Sequence, residues 1–286
     1  MGFHDVSRWI LLFPAFLLAV AAAAQEPETA PAPGSAVSQA QQAYARANDL
    51  FEQKNLAGSV AALEEALGAD PAYVPALTLK AKIAISANRL DIAGECLKRA
   101  VEADPASWYP HFLYGFWHYL RGDWPRAISE FQGARKLNPR DAHSDLYLGM
   151  AYERLGDART ALTYDEQAVK LEEAAGAPDP YTLVAYARVL RLVGRLDDST
   201  RVVNQALKLY PNHRDAYYEL GLLLLKKGDP KGAAKAGEAA LLLPIEDVAE
   251  FQIHYLLARA YQADGDDRRA AEHAAAVRAA QEQDVK

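Results

Sequence analysis

Pro71, Pro105 and Pro139 stand 34 residues apart, and Pro211 lies two such periods further on with four extra residues between. A proline cannot continue a helix and disfavours helical geometry at the residue before it, so a proline at constant spacing marks the same breakpoint in each copy of a repeated unit. The stretch Trp108–Pro139 shows what lies between two breakpoints. Gly122-Asp123 interrupts an otherwise helical pattern, and Pro125 sits where the first turn of a second helix tolerates a missing N–H. The unit reads as two short helices around a tight turn.

With the closing proline as position 32, units begin at Ala40, Val74, Trp108, Ala142, Pro180, Arg214 and Phe251. Position 8 is then Ala47, Ala81, Gly115, Gly149, Ala187, Gly221 and Ala258. Position 20 is Ser59, Ala93, Ala127, Ala161, Ser199, Ala233 and Ala270, and position 27 is alanine in six units and Val277 in the seventh. Small residues recurring in step predict helices that approach closely along fixed lines. Each helix pair has too little interior of its own, so neighbouring pairs must stack to bury a core.

This period and pattern closely resemble the tetratricopeptide repeat. The resemblance runs from Ala40 to about Asp284. It implies an all-α fold, a right-handed α-solenoid superhelix of about seven helix–turn–helix repeats over residues 40–286. It also implies a general platform for binding other proteins. Departures include Arg46 and Asp165, charged where most units are apolar, a second helix of the fourth unit that runs on to Gly176, and no closing proline in the last two units.

Ahead of the repeats, Arg8 precedes an apolar run, Trp9–Ala24, and Ala22-Ala23-Ala24 before Gln25 has the form of a signal-peptidase site. Residues 1–24 are therefore read as a signal peptide, with an uncleaved N-terminal anchor as the alternative, and residues 25–39 as a disordered Pro/Ala-rich linker. The expected location is exported, periplasmic or secreted, in a bacterium. After cleavage no stable membrane span is expected. Cys96 is alone, so no intramolecular disulfide can form, and its place on a packing helix suits a buried, inert thiol.

The net charge of −7 comes from acidic and basic residues interleaved rather than clustered, which argues against a nucleic-acid partner. Enzyme signatures are missing: there is no HExxH, no GxSxG elbow and no P-loop. His111 and His118 share one side of a helix but fall where the repeat packs, so they read as structural rather than as metal ligands. The chain is expected to be non-catalytic, without cofactor or metal.

Positions 2, 5, 6, 9, 12 and 13 of each first helix share a face, which the resemblance places on the inner, concave surface. The candidate partner-binding groove comprises Tyr109, Phe112, Leu113, Phe116 and Tyr119 in the third unit, and Leu146, Tyr147 and Met150 in the fourth. Arg188, Arg191, Tyr218, Tyr255 and Arg259 continue it. The position 5 column carries no charge in any unit. Two readings stand open: these side chains line an accessible groove, or they are apolar because neighbouring repeats bury them. On the groove reading, Phe112→Ser with Phe116→Ser abolishes partner capture and leaves the helices intact.

The partner expected is another protein or a peptide segment, bound by a scaffold or adaptor of the cell envelope. Competing readings are an accessory subunit of an envelope enzyme or polysaccharide-export complex, and a direct binder of a small anionic ligand or glycan. The Lys and Asn clamp with which some tetratricopeptide proteins hold a C-terminal carboxylate is absent here, since only Asn48 matches it.

Overall fold

The computed structural model describes residues 36–176 and 178–283, and the expected signal segment and most of the expected linker lie outside them. Fourteen helices and no strand occur among the described residues. They pair as α1 (Ala36–Glu52) with α2 (Leu56–Ala69), α3 (Val74–Ser86) with α4 (Leu90–Ala103), and α5 (Trp108–Leu120) with α6 (Trp124–Leu137). The pairs continue as α7 (Ala142–Arg154) with α8 (Ala158–Ala175), α9 (Pro180–Leu192) with α10 (Leu196–Leu209), α11 (Arg214–Lys226) with α12 (Pro230–Leu241), and α13 (Glu250–Asp264) with α14 (Asp267–Gln283). The fold is all-α and repetitive, as the period predicts.

The helices start earlier than expected at one point. Residues 36–39, expected as the end of the linker, form the first turn of α1. They contain no proline or glycine to stop a helix, and Ser38 is buried by its packing.

One device makes every hairpin. Position 15 of each unit has a left-handed backbone: Lys54, Asn88, Gly122, Gly156, Gly194, Gly228 and Gly265, with φ between 54° and 84°. Five of the seven are glycine, the residue that adopts this region without a Cβ clash. The next residue then caps the second helix wherever it is Asn or Asp: Asn55, Asp123, Asp157, Asp229 and Asp266 each accept a backbone N–H three residues on.

The small-residue columns sit in the packing. At positions 20 and 27 the first six units are wholly buried, from Ser59 and Ala66 to Ala233 and Ala240. Ala258, Ala270 and Val277 of the last unit are half-exposed.

The chain divides into two compact units, Met1–Pro139 and Arg140–Lys286. In the first, Leu63, Leu77, Ile85, Leu97 and Phe131 are fully buried, and Trp117 of α5 lies against Gly94 of α4 while its indole N–H donates to the Leu90 carbonyl at 2.6 Å. In the second, Leu183, Leu190, Val203 and Leu223 form one core and Ile253, Leu257 and Tyr261 another. The loop between α12 and α13 is tied down by Arg214 Nη1 donating to the Leu243 carbonyl at 3.0 Å and by the Val248 N–H donating to Asp215 Oδ1 at 3.0 Å.

Candidate partner-binding face

In the first unit, α5 supplies the candidate aromatics. Leu113 and Phe116 are buried, so packing accounts for them. Tyr109, Phe112 and Tyr119 are half-exposed. Phe112 also belongs partly to the hairpin interior: its ring lies 5.7 Å from Phe131 and stacks with Tyr109 at 6.3 Å between centroids. Both rings thus take part in packing, so the Phe112→Ser, Phe116→Ser change reads stability as well as partner capture.

Lys82 on α3 occupies position 9 of the same face. Its side chain is only 7% exposed. Nζ lies 4.7 Å from the centre of the Phe51 ring on α1, and no carboxylate among the described residues comes within ion-pair distance. Burial alone pushes its ammonium down to about 8. The signal in the sequence is a single lysine among Thr78, Leu79 and Ile85 on one helical face.

In the second unit, Leu146 and Tyr147 of α7 are buried, and Met150 packs on the cluster of Leu146, Ala168 and Ala185. Arg188 of α9 has its Nε 3.6 Å from Glu153 Oε2. Arg191 is committed elsewhere: its Nε and Nη2 donate to the two carboxylate oxygens of buried Glu219 at 2.5 and 3.1 Å. That paired fork–fork geometry satisfies the guanidinium internally. Tyr218 is half-exposed, with its hydroxyl raised by burial and then by Glu219, while Arg188, Arg191 and Arg259 oppose that rise. Tyr255 is 55% exposed, and the Arg259 guanidinium lies 5.8 Å from its ring centre. Of the three arginines singled out in the sequence, Arg259 is the exposed one, and among the described residues no carboxylate pairs with it.

Asp165 is 1% exposed on α8, facing Gly149 of α7. Burial, and then the Glu153 charge, hold its carboxyl well above the usual range, with Arg188 acting against them.

Four of the histidines have these surroundings. His111 has Nδ1 2.7 Å from Glu130 Oε2 and Nε2 3.2 Å from the Pro105 carbonyl, and His118 is buried against the Tyr114 ring at 4.7 Å. His254 and His273 share a 2.8 Å contact between their Nδ1 atoms across the α13–α14 hairpin. No group of three or more His, Cys, Asp or Glu able to hold a metal ion occurs among the described residues. No helix among them is long and apolar enough to cross a membrane. Cys96 is buried, and that burial raises its thiol.

Comparison with known proteins gives the same repeat. Tetratricopeptide repeat descriptions match residues 50–109, 118–180 and 186–250, together about two thirds of the chain. A tetratricopeptide repeat protein from Parabacteroides merdae superposes with a TM-score of 0.66 at 16% identity, over 84% of this chain and 93% of that one. YrrB, described as a protein of this class with an unusual peptide-binding site, superposes with a TM-score of 0.55 at 20% identity, over 71% of this chain and 97% of its own. Anaphase-promoting complex subunit 3 of Schizosaccharomyces pombe is 22% identical over 175 residues, and the match spans 61% of this chain but only 26% of that protein. These structural likenesses, all of low identity, speak to fold. Period, hairpin geometry and sequence match agree, and the chain belongs to the tetratricopeptide repeat family.

Proposed function

We propose that the protein is a non-catalytic scaffold that holds a peptide segment, or a partner protein presenting one, on the face of its first helices. The observation that carries this reading is the make-up of that face. Aromatic side chains remain reachable on it in both units: Tyr109, Phe112 and Tyr119 in the first, Tyr218 and Tyr255 in the second. Half-exposed aromatics on rigid helices offer large contact area at low entropic cost, which is how recognition surfaces gain affinity. The peptide-binding site named for YrrB belongs to that protein, and its fold likeness adds support.

The apolar run Trp9–Ala24 supports export, with the envelope or its exterior as the place of action.

A photo-crosslinking amino acid placed at Tyr109 and at Tyr255 in the producing cells tests the reading. Lys98 and Lys231, both well exposed on second helices, serve as controls. The same adduct from Tyr109 or Tyr255, with none from the controls, is the expected result. Adducts confined to the controls would remove the first-helix face from consideration, and recovery of the chain in the cytoplasmic fraction alone would remove the export reading.

A further inference from the structure

We propose that Lys82 anchors an acidic side chain of an extended partner segment lying along the first helices of the N-terminal unit. This rests on the scaffold reading above and names the chemistry that its partner must carry.

Lysine is almost never buried without a partner, because moving an ammonium out of water is costly unless a counter-charge or acceptors replace the water. Lys82 lacks both: no hydrogen bond from Nζ and no ion pair connects it to any described residue. Its neighbour Lys80 shows the ordinary arrangement, pairing with Glu64 Oε1 at 2.8 Å. The Phe51 ring gives Lys82 some compensation through its π face. Such a contact is weak beside the hydration of a full charge and does not replace it. Lys82 keeps 7% of its surface exposed, so the site is nearly but not wholly closed to solvent. The result is a nearly buried cation with no acceptor among the described residues.

The surroundings narrow what that acceptor is. Lys80, two residues away, is already paired with Glu64 at 2.8 Å, so the site offers one unpaired positive charge. That matches a single carboxylate and falls short of a phosphate dianion, which calls for several cations or a nest of N–H groups. Uncharged residues stand at neighbouring register positions on both sides: Tyr44 and Phe51 on α1, Phe112 and Tyr119 on α5. A segment crossing Lys82 therefore meets apolar surface before and after it, which fits an internal Asp or Glu flanked by apolar residues. A chain end would use only one side.

The test uses the full chain and an array of dodecapeptides with apolar and aromatic residues around a central Glu or a central Gln. Each peptide is made both C-terminally amidated and as a free acid. The wild-type protein is expected to bind the Glu series about tenfold more tightly than the Gln series, amidated or not, as loss of one charge-assisted contact implies. Lys82→Met keeps the packed stem, and that variant should keep its helical circular dichroism while binding the two series alike. A Glu preference that survives in Lys82→Met overturns the assignment. So does binding of both series by the wild type without discrimination, although the scaffold reading would then still stand. A preference that follows the free C-terminus rather than the central residue overturns the internal-acid assignment. Failure to bind any peptide removes the anchor together with peptide recognition at this face.

Discussion

Gly149 of α7 faces Asp165 of α8 so closely that a Cβ at residue 149 would stand 1.9 Å from Asp165 Oδ1 and 3.3 Å from the Ala161 carbonyl oxygen. The absent side chain of one residue is the space that the other's carboxyl fills. This explains how an acid is accommodated at a position that is apolar in most repeats.

Gly149→Ala should therefore be destabilising by about 1–3 kcal/mol in urea unfolding, the usual cost of forcing extra volume into a closed interior. Asp165 has little room to turn away, being almost fully enclosed. Gly133→Ala is the contrasting case. Its new methyl would meet only the His111 ring, with Nδ1 at 3.7 Å and Cγ at 3.9 Å, ordinary contacts, within helix α6. It should stabilise by roughly 0.5–1 kcal/mol, from helix propensity. Adding Asp165→Ala to Gly149→Ala should recover much of the loss, and strict additivity of the two changes would contradict the shared space.

Glu219 and Arg191 make the second prediction. Glu219 is fully buried, and both its oxygens are held by one guanidinium. Removing only the acid, in Glu219→Ala, leaves the arginine without its partner and should cost about 3–5 kcal/mol. Replacing both, as Arg191→Met with Glu219→Leu, should cost distinctly less, because no charge is then stranded. Thermal unfolding of the three chains measures this. An equal loss in the single and double variants would show that the pair is not a unit.

The period of 34 and the small-residue columns made the fold legible, because close backbone approach selects Ala, Gly or Ser at those points in every unit but the last, where Val277 stands. The hairpin turn was legible in part: Gly122-Asp123 reads as a break, whereas Lys54 and Asn88 take the same left-handed backbone with no glycine to announce it. The candidate face was less legible. Helical spacing tells which residues share a side, but not how deeply a neighbouring repeat covers that side. Phe116 and Tyr119 look alike in sequence, yet one is buried and the other half-exposed. Arg191 reads as a free cation until Glu219, 28 residues on, is seen to hold it. Lys82 is unusual only in its burial and its lack of an acceptor among the described residues, which are three-dimensional facts that spacing does not show.

Lys82 supplies the pH prediction. Its ammonium has a folded value of about 8 against an ordinary 10.5. A lysine depressed in this way loses stability by being charged: the penalty is fully present below the folded value, shrinks as pH rises from about 8 to 10.5, and is gone above the unfolded value. Lys82→Met should accordingly raise the unfolding free energy at about pH 7 by on the order of 3 kcal/mol, with the advantage over wild type vanishing by about pH 11. Urea denaturation of both chains across that range gives the difference, and an advantage independent of pH would mean that packing rather than charge sets it. Because a bound carboxylate favours the ammonium, complex formation with a Glu-centred peptide at about pH 9 should take up protons. Calorimetry in buffers of different ionisation enthalpy reads that uptake, and Lys82→Met should abolish it.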